Sequence, residues 1–323
     1  MFTPSRLLFE MERSRDSESP LMRTPKSQST DKGSLTACLS LRNILTYLSI
    51  LLNTFENAHL IDWVVVKFVN KSCPSAALEA DVMKTLSGHA HIVKVVSVFH
   101  NDTYLGIVME RHGNISLSYY EFMLKAPRLD EPTARYLFSQ MVSAVKFCHT
   151  KNIAHLDIKP DNIIVNEELS IKLIDFGLSS PDASNIQKGR LGTPGYMPPE
   201  MSFDGRLFLP SAADIWALGV TFYASYFLKL PFGVDVNGDF LLSGSSPLLD
   251  LHGVISEGPT LCLLTDFVQM LYSMFKFDWQ ERITCEELER HAWFQGLRIA
   301  GEEFYESALK LSVTIAVETS IFF

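Results

Sequence analysis

The order of hydrophobic patterns along the chain predicts an α+β, bilobal fold, with a small β-rich N-terminal lobe ahead of a larger helical C-terminal lobe. Two observations predict it. Short β-branched runs bounded by polar residues recur between Leu60 and Glu110, around one helical segment, which is the signature of strands. From Pro132 onward apolar residues recur at three- and four-residue steps, which is the period of helices. Two lobes leave a cleft between them, and clefts are where ligands bind.

Taken in order, residues 1–34 are dense in Ser, Thr, Pro and charge. Such a composition cannot bury enough apolar surface to offset ordering entropy, so a flexible tail is expected. The run LIDWVVVKFV from Leu60 reads as a buried strand. Ser75 to Leu86 reads as a helix with Ala77, Leu78, Val82, Met83 and Leu86 at helical steps, and His91 to Phe99 and Tyr104 to Glu110 read as two further strands. The segment PTARYLFSQMVSAVKFCHTKN carries the stripe Leu137, Met141, Val145 and Cys148 and predicts a helix ending at Asn152. Gly238 to Pro259, rich in Gly, Ser and Leu, reads as a loop before a late helix, and the residues after Leu297 form a short mixed tail.

Bulk properties exclude several classes. A chain of 323 residues with 47% hydrophobic content can bury a large core. Its net charge of -9, from 37 acidic and 28 basic residues, supplies no basic stripe for phosphate backbones, so no nucleic-acid partner is expected. Cysteines 38, 73, 148, 262 and 285 are odd in number and have no ligand spacing, which fits a reducing compartment, cytoplasmic or nuclear. The apolar stretch Leu35 to Leu52 is broken by Arg42 and Asn43, short of the roughly 20 apolar residues of a spanning helix. MFTPSRLLFEM has no basic region followed by an apolar core. Neither a membrane partner nor secretion is expected.

The chemistry concentrates in IAHLDIKPDNIIV, where Asp157, Lys159 and Asn162 fall within six residues, and in KLIDFGLSS, where Asp175 follows thirteen residues after Asn162. Phosphoryl transfer needs an oriented nucleophile and neutralised phosphate charge more than covalent help, and these residue types supply both. The two segments resemble the catalytic loop and the Asp-Phe-Gly motif of eukaryotic protein kinases, serine/threonine type. GTPGYMPPE from Gly192 and DIWALG from Asp214 resemble further motifs of that family.

The resemblance implies a kinase domain over residues 35–297, with an N-lobe to about residue 110, a C-lobe from about 113, and a C-terminal tail over 298–323. It implies ATP and Mg2+ as cofactors and protein substrates as partners. Asp157 would orient or accept the substrate hydroxyl proton, and Lys159 would contact the transferred phosphoryl group. Asn162 and Asp175 would hold magnesium. Lys67, at the end of WVVVK, would bind ATP, paired with Glu79, for which Glu56 and Asp81 are the competing candidates. Met109 would guard the back of the nucleotide pocket, the hinge Glu110 to His112 would meet adenine, and Ile164 joins the nucleotide-contacting set. Met83, Val95, His155 and Phe176 would stack as a spine between the lobes. Thr193 would bond Asp157 and Lys159, and Glu200 would pair with Arg282.

Two departures from the pattern matter. Gly33 is the only Gly before Gly88, and the stretch Asn43 to Phe55, in the place expected for a Gly-rich phosphate loop, has none. This raises an alternative function, a scaffold that keeps the fold and binds nucleotide weakly. Leu156 replaces the Arg that ordinarily precedes the catalytic Asp and binds a phosphate on the activation loop. Turnover is therefore expected not to depend strongly on activation-loop phosphorylation, as measured by initial rates before and after phosphatase treatment; a large drop would contradict this.

Overall fold

The computed structural model describes residues 34–40, 63–113, 115–118, 129–201, 207–233 and 261–295. The expected N-terminal tail, the stretch Asn43 to Phe55, the loop Gly238 to Pro259 and the C-terminal tail lie outside them.

The N-terminal lobe is a four-stranded antiparallel sheet built from β1 (Ser34–Ser40), β2 (Trp63–Asn70), β3 (Val95–His100) and β4 (Tyr104–Glu110), in the order β1-β2-β4-β3. β2 lies between two neighbours, with Lys67 opposite Thr36 on one side and Ile107 on the other. Its side chains alternate because the strand period is two. Val64 and Val66 are buried with Val108 on one face, while Val65 and Val69 join the main core on the other. Lys67 shares that second face.

Helix α1 (Ala76–Leu86) packs there, burying Ala76, Glu79, Ala80, Val82, Met83 and Leu86. Glu79 is in phase with Ala76, Ala80 and Met83 on the helix, so the amphipathic stripe itself carries a carboxylate inward. Asp81, one of the alternatives to it, is 75% exposed and paired with Lys84.

The expected strand from His91 begins only at Val95. His91 and Val93 instead use their backbone groups across the lobes: Val93 N donates to Leu173 O at 3.1 Å and Leu173 N to His91 O at 2.9 Å. Those bonds tie the N-terminal lobe to β7 (Ile171–Leu173), which forms a three-stranded sheet with β5 (Ile115–Ser116) and β6 (Ile163–Val165).

Helix α2 (Glu131–Thr150) starts where Asp130 accepts from Thr133 N and Thr133 Oγ1, with Pro132 in the first turn. A cap of this kind contributes about 1 kcal/mol. Lys151 caps the end and Asn152 is left-handed at φ 57°, a conformation Asn tolerates. The expected stripe Leu137, Met141, Val145 and Cys148 is buried. It faces α3 (Pro210–Phe227), a helix buried nearly all round, with Phe138 stacked on Phe222 at 4.1 Å. α4 (Leu261–Met274), α5 (Cys285–Glu289) and α6 (Ala292–Gln295) complete this lobe, with the ribbon β8 (Gln187–Lys188) and β9 (Leu207–Phe208) on its surface. No helix among the described residues is long and apolar enough to cross a membrane.

The seam between the lobes is rich in histidine. His89 stacks on Phe147 at 4.8 Å, accepts from His91 N at Nδ1 and meets Ser143 Oγ at Nε2. His91 Nδ1 and His112 Nε2 donate to Ile171 O and Ser170 O. Lys172 Nζ reaches Ala90 O, Ile92 O and the Glu110 carboxylate. Burial, reinforced by the charge of Lys172, holds all three imidazoles below the ordinary histidine value. A lowered folded value favours the native state at pH above about 6.5, and that stability is lost as pH falls toward the folded values. The melting temperature is therefore expected to fall between pH 7.5 and pH 5.5. Replacing His89 and His91 by Asn should flatten that slope, which calorimetry at the two pH values would measure.

Candidate active site

Lys67 lies between Val65 and Val69 on the inward-facing row of β2, and its amine bridges both lobes. Nζ donates to Glu79 Oε1 at 2.6 Å and to Asp175 Oδ1 at 2.8 Å. Burial alone would lower the lysine, but the two carboxylates outweigh it and raise it above the ordinary value. For Asp175 the balance has the opposite sign: burial would raise the carboxyl, and Lys67 holds it below the usual carboxylate range. The pair is thus charged at neutral pH. Lys67 Nζ and Gly177 N both donate to Oδ1 of Asp175, so Oδ2 is the oxygen left for a ligand, and the side chain is 42% exposed.

The catalytic-loop residues converge below. Asp157 Oδ2 accepts from Lys159 Nζ at 2.8 Å and from Asn162 Nδ2 at 3.0 Å. Asp157 Oδ1 accepts from Thr193 Oγ1 at 2.6 Å, and Thr193 Oγ1 in turn accepts from Lys159 at 2.6 Å. Asn162 Nδ2 also donates to the Asp157 carbonyl at 2.8 Å. With its amide nitrogen committed, Asn162 offers its carbonyl oxygen to a cation. Two oxygen donors of this type, with no cage of three or more His, Cys, Asp or Glu among the described residues, suit Mg2+, which keeps waters and phosphate oxygens in its shell.

The loop is held from beneath by Asp214, which is 0% exposed. Its carboxylate accepts from His155 N and Leu156 N, both at 2.8 Å, and meets His149 Nε2 at 2.9 Å. Leu156 has φ 64°, a left-handed value that a bulky residue adopts only under constraint, at roughly 1 kcal/mol or more, whereas Asp175, at φ 61°, is of a type that tolerates this region. His155 accepts from Asp157 N at Nδ1 and donates from Nε2 to Ile174 O, while its ring meets Phe176 edge-on at 4.7 Å. Met83 and Phe176 are each 1% exposed and Val95 is half-buried against the same core.

The expected nucleotide-contacting residues are spread along the back of the cleft. Met109, opposite Val65 on β2 and Val95 on β3, is buried. Glu110 directs its carboxylate to Lys172 and to Lys94 N, and its own N–H goes to Lys94 O. The His112 ring bonds Ser170 O. Ile164 is half-buried on the face of β6 opposite to Ile163 and Val165.

Three contributors escaped sequence reasoning. His149 supports Asp214, and Cys285 Sγ lies 3.7 Å from His149 Nδ1, its thiol pushed up by burial. Lys172 latches the hinge through Glu110. None left a local signal, because the partners are 65, 136 and 62 residues away in sequence.

A family model described as the protein kinase domain matches residues 57–294. The chain belongs to the protein kinase family. The kinase domain resembles the PAS domain-containing serine/threonine-protein kinase of Mus musculus, 36% identical over 247 residues, 71% of this chain and 16% of that protein. It also resembles the maternal embryonic leucine zipper kinase of Xenopus laevis, 31% identical over 249 residues, 73% of this chain and 36% of that protein. The SNF1-like protein kinase ssp2 of Schizosaccharomyces pombe is 28% identical over 207 residues, 64% of this chain and 34% of that protein. This kinase chain thus spans between about a sixth and just over a third of the length of these relatives.

One ion pair is structural for the kinase domain. Arg282 uses all five donors, bonding both Glu200 oxygens at 2.8 and 3.1 Å, Ala212 O, and Lys276 O twice. Its guanidinium also lies 5.1 Å over the Trp216 ring. Removing one partner leaves a buried charge unpaired, so Arg282→Ala is expected to cost about 3–5 kcal/mol. Urea unfolding of the single variants and of the double variant with Glu200→Ala should give a double cost well below the sum.

Proposed function

We propose that the chain is a serine/threonine protein kinase that passes the ATP γ-phosphoryl group to Ser or Thr hydroxyls of protein substrates. The reading is supported above all by Asp157, whose Oδ1 accepts a threonine hydroxyl while Oδ2 accepts Lys159. That is the bonding a substrate hydroxyl needs, with a carboxylate to orient it and take its proton and a cation beside the group being transferred. Thr193, from the following segment, keeps Asp157 and Lys159 in register.

Lys67, held charged between Glu79 and Asp175, would neutralise the nucleotide phosphates. Asn162 and Asp175 would hold Mg2+, which when bound neutralises charge on the phosphate oxygens. Met109, Glu110, His112 and Ile164 would line the adenine side of the cleft, with the hinge backbone as the polar contact. The scaffold alternative rests on the glycine-free stretch, whereas Asp157, Lys159, Asn162, Asp175 and Lys67 together carry what the transfer requires.

Purified protein with radiolabelled ATP, Mg2+ and a generic Ser/Thr substrate should incorporate label, and Asp175→Asn should lower incorporation by at least roughly a hundredfold, as loss of a transition-state charge contact does. Equal and negligible incorporation by both proteins would sink the enzyme reading. A thermal-shift titration with Mg-ATP then reports nucleotide binding separately, since a ligand of the native state raises its melting temperature.

A further inference from the structure

Leu156 lies between two residues of the signature yet belongs to a different packing unit. Its side chain is 6% exposed and joins a small apolar cluster, separate from the main core, with Ala154, Ala183, Met197, Met201, Phe208 and Ala213. The cluster gathers the catalytic loop, both ends of the segment that follows Asp175, β9 and the start of α3.

The backbone closes the same seam. Ala154 and Ser180 exchange both hydrogen bonds at 2.9 Å, Ala183 N donates to Asn152 O at 3.0 Å, and Ser211 N donates to Ala183 O at 3.1 Å. Gly192, at φ 114°, approaches so closely that a Cβ there would lie 2.8 Å from Leu156 O. Directly beyond Gly192, Thr193 makes its bonds to Asp157 and Lys159.

We propose that Leu156 is a positioning residue: its side chain is the apolar anchor that holds residues 180–201 against the catalytic loop in the unmodified chain, and so delivers Thr193 to Asp157 and Lys159. The consequence for turnover rests on the kinase reading. The order of the segment does not.

The test is limited trypsin digestion of the full chain, with mass spectrometry of cleavage after Lys188, which is exposed on β8. Wild type should be cut there slowly, and at the same rate after phosphatase treatment. Leu156→Ala should be cut roughly tenfold faster, because truncating a buried Leu weakens the local closure that limits access. Leu156→Met, which refills the space, should stay within about threefold of wild type. In kinase assays Leu156→Ala should lower kcat while leaving KM for ATP unchanged, since Lys67 and Glu79 are not touched. Should Leu156→Ala fail to fold, Met197→Ala truncates the same contact from the segment side and is read in the same way. Wild-type cleavage rates in the Ala variants, or faster cleavage of wild type after phosphatase, would overturn the proposal. The digestion needs no turnover, so a protein that incorporates no label refutes the kinase reading and leaves this one to be judged on its own readout.

Discussion

The carboxylate of Asp214 is the contact on which the rest of the site depends. A charge with no exposure to solvent must be satisfied by hydrogen bonds or the protein does not fold around it. Here it takes two consecutive backbone amides and one imidazole. Leu156, which donates the second of these amides, has a left-handed backbone, and its bond to the buried carboxylate helps to hold it there. The strain is thus compensated locally, and its product is the placement of Asp157.

A second constraint couples the lobes. Lys67 on the N-terminal sheet is charged because two carboxylates flank it, one from α1 and one from the loop after β7. At the opposite edge of the cleft, Lys172 makes the converse crossing, from β7 to Glu110 and to the carbonyls of Ala90 and Ile92. Two lysines, one on each lobe, therefore staple the cleft at front and back. Each lies in partly buried surroundings, where an ion pair is screened less than at the surface.

The C-terminal lobe supplies rigidity by different means. α3 is buried nearly all round, Trp216 packs against Phe232 and Phe275 at 5.0 and 5.1 Å, and the Arg282 guanidinium covers the same indole. Asp214 and the docking point of Glu200 thus stand on one well-packed platform, which is what holding a catalytic loop within a fraction of an ångström requires.

Much of this was legible in the residues. The short β-branched run around Lys67 and the helical stripe of α2 indicated those elements, the first buried on both faces and the second along one. The spacing of Asp157, Lys159, Asn162 and Asp175 pointed to phosphoryl-transfer chemistry, whereas the sequence left Glu79 and Asp81 in competition until the fold paired Glu79 with Lys67 and Asp81 with Lys84. Tertiary structure alone decided that His91 and Val93 bond to β7 while Lys94 bonds to Glu110 at the end of β4, that His149 supports Asp214 with Cys285 beside it, and that Leu156 anchors an apolar seam where the sequence showed only a missing arginine. The reason is that periodicity reports what one element buries, whereas a hydrogen-bond partner or a packing neighbour some sixty residues away is chosen only when the chain closes on itself and every buried polar group must find its match.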